Sequence, residues 1–146
     1  MLQIREAQQQ DEAAWRNLWA AYLVFYEAEV SEEITARTWA RMLDPASAIS
    51  CTLAVQDNRI AGFAAYVVHD ATWHLKPMCY LEDLFVAPEF RGAGVGRAII
   101  RDLLERGATT GWSQLYWHTH RDNPARKLYD EFVLADDSVR YRLNVK

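Results

Sequence analysis

The chain has 146 residues, 51% of them hydrophobic and 25% charged, the size and balance of one domain that buries a core without disulfide or metal staples. Its formal net charge of −4 disfavours a basic nucleic-acid binder, and its apolar content disfavours a disordered acidic tail. The longest apolar run, Trp19 to Tyr26, falls well short of the roughly 18 residues of a membrane span, and the opening MLQIREAQQQDE is charged where a secretion signal would be apolar. One domain over residues 1–146 is expected, cytoplasmic, with neither a nucleic-acid nor a membrane partner.

Leu2 to Arg5 is short and partly apolar, which suits a first strand. From Asp11 to Glu27 the residues Trp15, Leu18, Trp19, Tyr22 and Phe25 or Tyr26 recur at helical spacing opposite a polar face, predicting the first long helix. Ser31 offers a cap, Glu32 and Glu33 suit the positive end of a helix, and Asp44-Pro45 supplies a stop, so a second helix is expected over about Glu32 to Leu43. Ser50 to Gln56 and Arg59 to His69 read as a β-hairpin around the turn-forming Asp57-Asn58. Met78 to Val86 gives another strand, ended by Ala87-Pro88-Glu89 because proline cannot donate to a ladder. Cys51 and Cys79 sit in apolar stretches with no ligand-spaced partner, and both read as buried thiols.

After a glycine-rich stretch, Val95, Ile99, Ile100, Leu103 and Leu104 mark a third helix over Val95 to Arg106. Trp112 to Thr119 reads as a fifth strand, and Asn123-Pro124 opens a further helix with proline in its favoured first turn. Asp136-Asp137 marks a turn, and Val139 to Val145 alternates like a closing strand. The order is mixed α/β in one sheet, with no internal repeat or linker.

The segment Arg91-Gly92-Ala93-Gly94-Val95-Gly96 lies between a strand and a helix whose first amides lack intrahelical partners. Glycines let backbone approach closely and take positive φ, and the helix dipole adds about 0.3–1 kcal/mol for nearby negative charge, so a pyrophosphate is the natural occupant. The dinucleotide fingerprint would need a glycine where Arg97 stands, and a P-loop would need a lysine followed by serine or threonine. A tight turn that binds nothing is the rival reading of the glycines alone.

The run Tyr80-Leu81-Glu82-Asp83-Leu84-Phe85-Val86-Ala87-Pro88-Glu89-Phe90-Arg91-Gly92-Ala93-Gly94-Val95-Gly96 resembles the central cofactor motif of the GNAT acetyltransferases, whose core is Arg or Gln, two residues, Gly, one residue, Gly or Ala. Asn123-Pro124-Ala125-Arg126-Lys127-Leu128-Tyr129 is similar to the family's next motif, an asparagine followed by a helix ending in leucine-tyrosine. The Tyr-Leu-Glu-Asp strand is similar to that of polyamine acetyltransferases and of small yeast-type enzymes acting on histones or D-amino acids. One departure follows Tyr129, where Asp130 to Ser138 lacks the family's usual glycine-phenylalanine turn.

The resemblance implies the GNAT fold, a central, mostly antiparallel sheet splayed at the cofactor strand and flanked by about four helices. It implies acetyl transfer from acetyl-CoA to a primary amine by direct attack, with no metal. A free alkylamine has a pKa near 10.4, so a carboxylate must help remove its proton, and Glu82 is the expected base. Without a bulge, strand alternation points Glu82 and Asp83 to opposite faces, so that only one of them faces the reacting carbon; the resemblance to polyamine acetyltransferases favours Glu82, and Asp83 would attract a cationic substrate. Tyr129 is the expected acid for the departing thiolate. Leu84, Phe85 and Val86 would offer exposed backbone to the pantetheine arm and the thioester oxygen. Asn123 would bond that arm, while Arg91, Arg97 and Arg126 would add positive charge to the amides of residues 91–96.

The family's first two helices usually wall the acceptor site, and here their junction carries Tyr26 and Glu27 among further acids, which suits a small cationic amine or a basic peptide. His118 and His120 alternate as a strand-end surface pair and lack a third ligand at suitable spacing for a metal. A noncatalytic acyl-CoA sensor and an interaction module are the alternatives; the second is prompted by six tryptophans and a sheet edge through which a homodimer would pair.

Overall fold

In the computed structural model, which describes residues 1–146, strand β1 (Leu2–Glu6) precedes helices α1 (Glu12–Phe25) and α2 (Glu32–Leu43). The hairpin β2 (Ile49–Gln56) and β3 (Arg59–His69) follows, then β4 (Met78–Val86), α3 (Val95–Thr110), the short β5 (Gln114–Tyr116) and α4 (Arg126–Phe132). The sheet order is β1-β2-β3-β4-β5. The first three pairings are antiparallel and β4 with β5 is parallel. This is the mixed α/β architecture that the motifs imply.

Local chemistry accounts for most boundaries. Asp57 and Asn58 both take positive φ, 51° and 63°, the two-residue turn whose twist matches a hairpin. Ser31 Oγ accepts the amide of Ile34 at 3.2 Å and caps α2. Gly111, at φ 93°, closes α3 in the left-handed conformation. Helix α1 stops at Phe25, two residues before the expected Glu27, which itself takes φ 52°.

Two cores flank the sheet. On one face Trp15, Leu18, Trp39 and Met42 from α1 and α2 meet Leu53, Phe63 and Phe85. On the other Val95, Ile99, Ile100 and Leu103 from α3 cover Ala54, Ala61, Ala64 and Leu81. Cys51 and Cys79 are free and buried, one in each core. Burial raises both thiols, Cys79 to about 12.

Three expectations fail in the last third. The fifth strand covers only Gln114–Tyr116, because β4 and β5 pair solely through Met78–Tyr80 and then diverge. Helix α4 begins at Arg126 rather than at Asn123-Pro124, which instead make a preceding turn with the Arg126 amide donating to the Asn123 carbonyl. No strand forms over Val139 to Val145. Its alternate side chains Val139, Tyr141, Leu143 and Val145 are 75%, 93%, 92% and 98% exposed. Alternation supplies a strand's two faces, but a ladder also needs a partner backbone, and three-residue β5 offers little of one.

Candidate active site

Beyond Tyr80, β4 has no neighbour on its β5 side, so the backbone from Leu81 to Val86 forms an open edge inside the sheet. Leu84, Phe85 and Val86 line a cleft of about 610 Å³ there, within the range of small-molecule sites. Its far end is the start of α3. Gly92 and Gly94 each take φ 81°, and Gly94 is the N-cap. The first intrahelical bond runs from Ala98 to the Gly94 carbonyl, which leaves the amides of Val95, Gly96 and Arg97 pointing out of the helix without partners.

The three glycines are not equivalent. A Cβ at Gly92 would meet nothing within 4 Å, so only its backbone conformation requires glycine. A Cβ at Gly96 would stand 3.0 Å from Leu128 Cδ2; this glycine lets α4 approach α3. Gly92, Gly94, Val95, Gly96 and Arg97 all line the cleft, whereas Ala93 lies exposed outside it. The cradle of bare amides and small residues fits a diphosphate.

The arginines divide by what they already hold. Arg91 donates through Nε to the Val86 carbonyl at 3.0 Å, and its guanidinium lies over Phe85 and Phe25 at 5.3 and 5.9 Å. Arg97 lines the cleft and pairs with Glu131 at 2.7 Å. Arg126 donates to the Arg121 carbonyl at 2.8 Å and does not line the cleft. Lys127, which the sequence reading passed over, does line it. Its place one residue along α4 was the signal available.

Asn123 lines the cleft with its side chain committed: its amide donates to Thr119 Oγ1 at 2.8 Å and Tyr26 Oη at 3.2 Å, and its oxygen accepts the Ala125 amide at 2.9 Å. It therefore fastens the α4 turn to the end of α1. Tyr129, on α4, borders both this cleft and a second cavity on the other side of Leu84. Burial raises its phenol to about 12, with Tyr26 adding to the shift, so it keeps its proton at neutral pH.

The second cavity holds the two acids. Ala65 pairs with Asp83 and Tyr66 with Leu81, so Glu82 is an extra residue on β4, a β-bulge. The bulge defeats the expected alternation, and Glu82 and Asp83 line the same cavity. Glu82 is exposed and Asp83 partly buried. Tyr22 Oη donates to Asp83 Oδ1 at 2.5 Å. Burial pushes Asp83 up to about 6 against the opposing pull of the Tyr22 bond, and the charge of Glu82 adds a smaller push upward. Tyr22 was read from sequence only as a helix-face aromatic, and its spacing from Tyr26 was the one hint that both face the site.

Tyr26 lines both cavities, while Glu27 is exposed and borders neither. His118 Nδ1 lies 3.3 Å from Tyr80 Oη, and the His120 ring sits 5.5 Å from that of Tyr26. The two histidines line the second cavity beside different aromatics.

An open β-strand edge, a cradle of helix amides and an adjoining acidic cavity are the parts that an acyl carrier and an acceptor amine would need. The profile of the acetyltransferase (GNAT) family matches residues 12–132. The chain is 32% identical over 144 residues to the D-amino-acid N-acetyltransferase HPA3 of Saccharomyces cerevisiae, covering 97% of this chain and 89% of that protein. Over 56 residues it is 39% identical to the thialysine N-epsilon-acetyltransferase of Bos taurus, covering 38% of this chain and 32% of that one. The fold is similar, at TM-score 0.82, 21% identity and 99% coverage of both chains, to that of AAC(6')-Iy, solved with the bisubstrate analogue CoA-S-monomethyl-acetylneamine. The chain belongs to the GNAT family of acetyltransferases and is an acyl-CoA-dependent N-acetyltransferase.

Proposed function

We propose that the protein moves an acetyl group from acetyl-CoA to the primary amine of a small cationic molecule or a basic peptide, by direct attack with both substrates bound. The observation that carries this reading is the meeting of the two cavities at Tyr26, Leu84 and Tyr129, where carboxylates on one side adjoin the open edge on the other. Acetyl-CoA, when bound, supplies an activated acyl carbon and a thiol leaving group. The amides at the start of α3 with Arg91 and Arg97 hold the diphosphate, and the exposed edge of Leu84 to Val86 pairs with the amides of the pantetheine arm. A backbone N–H of that edge would donate to the thioester oxygen and stabilise its developing negative charge; such a donor is worth about 2.7–4 kcal/mol in other acyl-transfer sites.

Glu82 takes the proton from the ammonium, directly or through water. Its exposure supports this role, because the proton then has a path to solvent. Once the N–C bond has formed, Tyr129 would give its proton to sulfur as the C–S bond breaks, and the second proton lost by the nitrogen would restore the phenol. Asn123 acts by holding the turn that carries Tyr129, and Arg126 and Ala93 act only by supporting that turn and the glycine loop. The names of the relatives, an acetyltransferase of D-amino acids and one of thialysine, are consistent with a small amine acceptor.

Two free buried cysteines suit the reducing cytoplasm, and the exposed apolar residues of the terminal segment suit a homodimer. The deciding experiment is a thiol-release screen with acetyl-CoA against polyamines, amino acids of both hands, aminoglycosides and basic peptides. Release with at least one amine, above the hydrolysis background, is expected. Coenzyme binding without release across the whole panel would sink the catalytic reading.

A further inference from the structure

Neither Glu82 nor Asp83 belongs to an ion pair; the chain's acids and bases pair elsewhere. Two neighbouring carboxylates thus share a cavity without a salt bridge to the Arg140 and Arg142 that also line it, and the inner one is partly buried with a single hydrogen bond, from Tyr22. Taking a carboxylate out of water without a counterion is unfavourable unless something positive arrives. The Tyr22 ring is fixed for its task. It stacks on Trp19 at 5.6 Å and meets the edges or faces of Tyr26, Phe63 and Phe85 at 4.9, 5.8 and 5.9 Å. Packing alone would be met by phenylalanine. The hydroxyl adds one bond, which ties Asp83 Oδ1 and leaves Oδ2 as the carboxylate oxygen free for a ligand.

We propose that Asp83 is the anchor for the acceptor's ammonium group, and that Tyr22 is a positioning residue which aims its carboxylate and keeps it ionised. This rests on the amine-acetylating reading above and divides the labour within it: Asp83 binds and orients the cation, while Glu82 at the rim carries the proton away. The acceptor accordingly presents its amine to the site as an ammonium ion. Binding requires Asp83 to be charged, so affinity is held above about 6 and lost as pH falls through that value. The titratable groups nearest Asp83 are Tyr22 on α1 and Tyr26 just past its end, Cys51 on β2, and Tyr80 and Glu82 on β4. The far wall adds Tyr116, His118, His120 and Tyr129, with Asp136, Arg140 and Arg142 from the terminal segment.

The test is direct binding, independent of turnover. Titrate n-butylammonium, with neutral n-butanol as control, into protein saturated with coenzyme A between pH 5 and 8.5, for wild type, Asp83→Asn and Tyr22→Phe. Asp83→Asn should weaken butylammonium binding about tenfold at pH 7.5 without changing that of butanol, the loss of a charge-assisted bond. Tyr22→Phe should move the low-pH loss of affinity upward by about one unit, since the bond it removes favours the charged carboxylate. With the best amine of the screen, both variants should raise KM more than they lower kcat. Unchanged butylammonium affinity in Asp83→Asn overturns the anchor. A low-pH limb that survives Asp83→Asn belongs to another group and overturns it as well, and an unmoved limb in Tyr22→Phe overturns the positioning role. If butylammonium binds as expected but no amine is acetylated, the catalytic reading fails and the anchor stands.

Discussion

At the scale of single residues, Glu82 and Asp83 differ by one step along β4 and by a large step in environment. Asp83 is raised to about 6 by burial, against an ordinary carboxylate value near 4. In the window between those values the folded protein holds more protons than the unfolded chain, so this group's contribution to stability falls as pH rises through it. Asp83→Asn should therefore raise stability by about 1–3 kcal/mol at pH 8 and by almost nothing at pH 4, read from urea midpoints at the two pH values. Glu82→Gln should lower kcat mainly at the acid end of the activity profile, where the amine most needs help losing its proton; an unaltered profile removes Glu82 as base. Tyr129→Phe should slow turnover without abolishing it, because a thiol of pKa around 8.5 leaves tolerably unaided, and steady-state thiol release would measure the deficit.

What the sequence made legible here was chemistry, not direction. The residue types at 82, 83 and 129 announce acids and a phenol, but alternation along a strand assigns faces only where no residue is extra. The bulge at Glu82 arises from pairing with Ala65 and Tyr66 of β3, a non-local context that a local pattern does not contain. The motif likewise marks Asn123 as a ligand donor, while a local bond to Thr119 and a long-range one to Tyr26 occupy its amide.

Among elements, helix α3 joins cofactor cradle to core. Its far half rests on Trp112: a Cβ at Gly107 would fall 2.8 Å from Trp112 Cε3 and 3.3 Å from Cδ2. Helix propensity alone favours Gly107→Ala by about 1 kcal/mol. The contact runs the other way, because an indole packed beside Tyr66 does not yield like the tip of a flexible chain, and overpacking costs about 1–3 kcal/mol. Thermal or urea unfolding should find the alanine variant less stable than wild type, and a gain would show that Trp112 moves freely. Helices α1, α2 and α3, the β2–β3 hairpin and β4 were legible because their periodicity and punctuation are local. The fifth and terminal strands were not, because their extent depends on whether a neighbouring backbone stays alongside.

For the whole molecule, the fold leaves apolar surface on a terminal segment that forms no strand, and its edge strand has three residues. A homodimer should appear in light scattering as about twice the 16.9 kDa chain mass, and Tyr141→Asp with Leu143→Asp should return it to one. A wild-type mass of one chain would refute the dimer. The sheet itself parts between β4 and β5 into a donor side and an acceptor side that have Tyr26, Leu84 and Tyr129 in common. Inheritance can treat the two sides separately. On the proposed reading, side chains on α1 or along the far wall could be exchanged for those that suit a different nitrogen compound without disturbing the main chain on which the acyl carrier would dock.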